Sequence, residues 1–147
     1  MLEQIALGTA LMAVTTVVHA ACTAALVGFF REIHVARWGL RSRSMGTLLV
    51  AIVVVVLFFA ALLEAAIWAA TYVQVEAVSS FEEALYFSIV TFTTLGFGDI
   101  TLNQDWRLLC AIEAANGIIL FGWSTALVFS FLQRIVEARK SSEESPS

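Results

Sequence analysis

The sequence predicts an all-α membrane protein with three transmembrane helices and a short re-entrant helix and loop between the second and the third. Three observations predict it. Of the 147 residues, 60% are hydrophobic and only 14% are charged, whereas about a quarter of an average soluble domain is charged. Too few polar residues remain to cover a water-soluble surface. Residues 5–30, 47–72 and 108–132 are each apolar enough and long enough to cross a bilayer, which takes about 20 residues of helix. A fourth apolar segment, 81–92, is about a dozen residues long, which suits a re-entrant element rather than a span.

The first span carries no charge. It opens Met1-Leu2-Glu3-Gln4, without the Lys or Arg of a secretory signal, and its apolar run is longer than a signal's. His19 also stands where a cleavage site before Cys22 wants an apolar residue, so the segment reads as a retained helix. Thr9, Thr16 and Thr23 recur at seven-residue spacing near His19. This stripe is expected to pack against another helix, with proton sensing by His19 as the rival reading. The span lacks the row of arginines that a voltage sensor needs.

The second span is free of charge up to Glu64, which is expected at the outer interface, as are Trp68 and Trp106; Trp38 is expected at the other interface. The short segment opens with a capping box, Ser80-Phe81-Glu82-Glu83, and therefore begins as a helix at an aqueous edge, its acids near the positive end of the helix dipole. The third span contains Glu113. An acid in a membrane is costly and is a functional candidate by default. It is expected to be satisfied by hydroxyls of the short helix, such as Thr93. Asn116 and Ser124 or Thr125 are candidates to line a cavity, with helix packing as the alternative. Cys22 and Cys110 fall inside apolar runs and read as small buried hydrophobes. The Ser/Glu-rich end, residues 141–147, is expected to be disordered.

Seven of the eight basic residues share one side of this layout: Arg31, Arg37, Arg41 and Arg43 between spans one and two, and Arg134, Arg139 and Lys140 after span three. The positive-inside rule makes that side cytoplasmic, places the N-terminus outside in the cell membrane, and brings the short helix in from outside. The basic linker is expected at the inner membrane surface, with Arg31, Arg37, Arg41 and Arg43 as candidates to meet anionic lipid. The net charge of −4 gives no reason to expect nucleic acid. No nucleophile with a base, metal cluster or phosphate loop is present, so neither an enzyme nor a bound cofactor is expected. Glu76, Glu82, Glu83 and Asp105 on the outer side either concentrate cations or are solvated caps.

The short helix runs into Thr93-Thr94-Leu95-Gly96-Phe97-Gly98-Asp99. Irregular backbone at membrane depth is tolerated only when buried in protein or lining a water-filled path. Aiming consecutive carbonyl oxygens at one axis replaces an ion's water shell. It needs backbone angles that glycine at alternate positions, Gly96 and Gly98, adopts without a Cβ penalty. Leu95 and Phe97 can then face outward as a brace, and the Thr94 hydroxyl can add a last oxygen.

This stretch resembles the potassium-channel signature Thr-Thr-Val-Gly-Tyr-Gly-Asp, and the layout of residues 47–133 is similar to that family's pore module: outer helix 47–72, pore helix 80–92, filter 93–99 and inner helix 106–133. Residues 1–30 are then an extra helix, 31–46 a linker and 134–147 a short tail. The resemblance implies potassium ions held at Thr94, Leu95, Gly96, Phe97 and Gly98, with Thr93, Asp99, Tyr86, Phe87 and Glu113 supporting the filter. Gly117 matches the inner-helix glycine, either a gating hinge or a close-packing site. It also implies a homotetramer, because one loop cannot enclose an axis, so each chain pairs with three identical subunits around a central pore. Leu95 in place of Val is a mild departure. Phe97 in place of Tyr loses a hydroxyl, and the neighbouring Phe87 offers no polar partner, so both halves of that bond are absent together. The function implied is passive, filter-selected potassium conduction. The alternatives are a weakly selective cation channel of the same fold and a non-conducting membrane sensor or adaptor that keeps it.

Overall fold

The structure, a computed structural model, describes residues 1–32 and 43–143, apart from the side chains of residues 31, 32, 43, 138, 139 and 141–143. The described residues form four helices: α1 (Leu2–Glu32), α2 (Arg43–Gln74), α3 (Phe81–Phe92) and α4 (Arg107–Glu143). Helices α1, α2 and α4 are long and apolar enough to cross a membrane. The chain is an all-helical, multi-pass membrane protein, with no strand among the described residues.

The run Ile52-Val53-Val54-Val55-Val56 in α2 is rich in side chains that favour strands in water. In hydrocarbon the preference yields, because a helix satisfies every backbone group within its own segment. All three spans extend past their sequence-predicted ends. Residues 31–32 of the expected linker belong to α1 and residues 43–46 to α2. Residues 141–143, expected to be disordered, continue α4. The proposed lipid contacts at Arg31, Arg37, Arg41 and Arg43 lie outside the described residues and side chains.

Paired contacts set the arrangement. Thr15 meets Asn116, His19 meets Ser124, and Phe30 meets Phe131, so α1 and α4 run side by side in the same direction. Helix α2 runs against them, with Glu64 beside His19. One core surrounds Trp68, Tyr72, Phe87, Phe92, Leu109 and Leu120 at the level of α3. A second, at the other end of the bundle, joins Leu26, Phe30, Val53, Leu57 and Phe131.

Several polar residues sit deeper than the sequence suggests. Glu64 and Trp68, expected at an interface, are both fully buried. Thr9 and Thr16 return their hydroxyls to the backbone of α1. The face of α1 that packs carries Leu11, Thr15, His19, Leu26 and Phe30 instead. Asn116 is fully buried and donates to the Thr15 hydroxyl at 2.7 Å. Its packing reading therefore holds over the cavity reading.

Gly117 marks where α4 crosses the end of α3. A Cβ there would lie 2.0 Å from the Phe92 carbonyl oxygen, whereas one on Gly122 would meet nothing within 4 Å. Backbone cannot step aside as a side-chain tip can. Gly117→Ala is expected to destabilise the fold by about 1–3 kcal/mol or more, while Gly122→Ala leaves it unchanged. The fraction folded after heating in detergent, compared across the two variants, checks this.

Candidate functional site: the loop after the short helix

Helix α2 ends in a Schellman turn. The Ala77 and Glu76 N–H groups reach back to the Tyr72 and Val73 carbonyls, and Glu76 takes φ 54° at the position glycine usually holds. The chain then enters α3 through Ser80, whose hydroxyl accepts the Glu83 N–H at 3.2 Å. The Glu83 carboxylate does not return to the cap residue. It accepts from the Ser79 hydroxyl at 3.0 Å.

Helix α3 ends in a second Schellman turn. Thr94 N–H donates to the Thr91 carbonyl at 2.8 Å and Leu95 N–H to the Val90 carbonyl at 2.9 Å. Thr94 therefore takes φ 59°, a left-handed value that a β-branched residue adopts only under strain. Gly96 and Gly98 follow at φ 55° and 79°. The left-handed residues thus alternate along the loop at 94, 96 and 98. An ordinary strand keeps φ negative at every residue and has no such alternation. Thr94 was legible as an oxygen donor and the two glycines as left-handed positions, but the left-handed conformation of Thr94 was not, because no residue preference puts a β-branched side chain there.

The loop leans on α3. Asp99 accepts the Tyr86 hydroxyl at 2.7 Å. That bond holds the Asp99 carboxyl below the usual carboxylate range and pushes the Tyr86 phenol up. The Thr93 hydroxyl returns to the Ile89 carbonyl at 2.7 Å. A hollow of about 280 Å³ lies behind the loop, bordered by Tyr86, Val90, Thr91, Gly96, Gly98 and Asp99 among others. Phe87 is buried edge-on against Tyr72, with ring centroids 5.3 Å apart. Leu95 and Phe97 are more than half exposed in the single chain. Glu76, Glu82, Glu83 and Asp105 are exposed at the same end.

Glu113 is fully buried beneath this assembly. Its partners are the hydroxyls of Tyr72, at 2.6 Å, and of Ser88, and not Thr93. Ser88 also meets the Ala65 carbonyl at 2.7 Å. One carboxyl group thus joins α4 to both α2 and α3. Tyr72 and Ser88 were missed in the sequence. The signal was there in principle, since an acid in hydrocarbon demands polar partners on whichever helices face it.

The chain belongs to the ion-channel family: the family model described as Ion channel matches residues 47–134, from the first half of α2 to beyond the middle of α4. No curated protein and no solved structure matches the chain.

Removing the Glu113 carboxyl tests what it holds. Glu113→Leu leaves the buried Tyr72 hydroxyl without its acceptor and is expected to cost about 1–3 kcal/mol. Glu113→Gln keeps a group able to meet both hydroxyls and is expected to cost less than half as much. Unfolding of the two variants in detergent checks the order, which equal losses would refute.

Proposed function

We propose that the chain forms a homotetrameric channel that passes potassium ions passively through a filter at residues 94–98. The observation that carries this is the loop's exposure. Residues 93–99 are all exposed in one chain, yet they are irregular backbone held beside three membrane helices. Such backbone cannot face lipid, and the exposed Leu95 and Phe97 side chains need protein to brace. Four copies around an axis would cover the loop and enclose an ion path. The alternation at Thr94, Gly96 and Gly98 supports carbonyl oxygens facing that path as ion ligands. The C-terminal end of α3, pointed toward the centre, would favour a cation there.

The remaining parts take their roles from this arrangement. The Tyr86–Asp99 bond would fasten the outer end of the filter to α3, and Glu113 would fix α3 from behind through Ser88. Gly117 lets α4 press against the end of α3, so any hinge at this position would move the filter's base with it. The positive-inside rule puts the N-terminus and the filter's outer mouth outside and the end of α4 in the cytoplasm.

One observation favours weaker selectivity as a second reading. Phe97 has no hydroxyl, and Phe87 is turned into the core against Tyr72. At Phe97 the brace would then be apolar packing, which leaves Tyr86–Asp99 as the directional bond from α3 to the outer end of the loop.

Purified protein in liposomes under a potassium gradient is expected to carry potassium and rubidium but not sodium. Entry of sodium at a comparable rate would select the weakly selective reading. Gly96→Ala places a Cβ at φ 55° and is expected to abolish flux while leaving the tetramer intact on gel filtration. Flux that persists in this variant would remove residues 94–98 as the ion path.

A further inference from the structure

Helix α1 lies outside the matched family region, yet buried polar side chains tie it to the rest of the molecule. His19 is the one that touches both neighbouring spans. Its Nδ1 lies 2.9 Å from Glu64 Oε1 on α2, and its Nε2 lies 3.3 Å from Ser124 Oγ on α4. The ring stands edge-on to Trp123, with centroids 5.5 Å apart. His19 and Glu64 are 1% and 0% exposed, and the second Glu64 oxygen has no partner.

The charges that reach this place are few. Helix α2 brings Glu64, and α4 brings only the neutral Ser124 and Trp123. The nearest acid on α4, Glu113, lies about three turns away along the helix and is engaged by Tyr72 and Ser88. Helix α1 itself adds Cys22. The basic residues of these helices stand toward their ends, at positions 31, 43, 107, 134, 139 and 140. Among the described residues, then, His19 and Glu64 alone set the local charge, and a buried carboxylate without a cation is costly.

A neutral imidazole that gives its Nδ1–H to Glu64 must accept at Nε2 from the Ser124 hydroxyl. The protonated ring donates at both nitrogens, so Ser124 becomes the acceptor and must turn its own hydrogen elsewhere. One proton thus offsets the Glu64 charge and reverses the bond to α4. Ser124 also borders a hollow of about 550 Å³ beneath α3, whose other polar lining residues are Thr93 and Thr125. A single hydroxyl therefore separates His19 from that space.

We infer that the Glu64–His19–Ser124 chain is a proton-operated link through which α1 acts on α4 and so on ion flow. Its last step rests on the conduction reading, and the two can fail separately.

Two readouts test it in purified full-length protein. Tryptophan emission is expected to fall on acidification, as an imidazolium forms against Trp123. The fall should be absent in His19→Gln and in Trp123→Phe. Rubidium flux into liposomes is expected to change by about fivefold or more with the same acidification. His19→Gln, which hydrogen-bonds without titrating, should flatten that profile. Ser124→Ala should keep the emission change and lose the flux change, which a merely structural histidine would not produce. It also serves if His19→Gln fails to fold. Wild-type emission that does not titrate, or a flux profile unchanged in both variants, overturns the link. Absence of wild-type flux at every pH counts against conduction instead, and the emission titration still decides whether His19 takes up a proton where it stands.

Discussion

Backbone N–H and C=O groups inside a bilayer have no water to turn to, and this structure is arranged around that constraint. Three long helices satisfy it within themselves. The loop at residues 93–99 does not, and the parts around it compensate. Helix α3 closes by a Schellman turn whose left-handed residue, Thr94, already belongs to the loop. Helix and loop share a residue, so the loop's first peptide takes its direction from the helix end. The remaining unsatisfied backbone must be kept from lipid, and the single chain leaves that side open.

A second consequence of the same solvent is that polar side chains gather in the few places where they can meet. Glu113 draws Tyr72 and Ser88 together, and Glu64 draws His19. Each group joins helices that apolar packing would leave free to slide, because hydrocarbon offers little preference between one apolar contact and another. The two groups divide the labour by depth. One stands behind α3, and the other ties the extra helix α1 to the pair that follows it.

Much of this was legible in the sequence, for reasons that are local. The length and hydropathy of the spans, the cap at Ser80 and the glycines at 96 and 98 each depend on a handful of consecutive residues. What escaped was pairing. The seven-residue recurrence of Thr9, Thr16 and Thr23 suggested a packed stripe, but those hydroxyls can satisfy themselves on their own helix, and two of them do. Thr15 and His19 form the packed face because Asn116, Glu64 and Ser124 stand opposite them. Glu64 and Trp68 looked interfacial because they lie toward the end of a long apolar run, and nothing in α2 alone reveals that α1 covers them. The bond from Glu113 to Ser88 rather than Thr93 likewise depends on how α3 is rotated against α4.

Helices α1 and α4 point the same way and are fastened at three heights, by Thr15–Asn116, His19–Ser124 and Phe30–Phe131. Two rods pinned at several heights behave as a splinted beam. Bending one means stretching or shearing the pins along the other. Gly117 sits next to the uppermost pin and above the other two, so α4 cannot flex there as a free-standing helix would. Any swing of its lower half must carry α1 along or tear His19 from Ser124. The added helix thus sets the mechanical stiffness of the span it accompanies, whatever else it does.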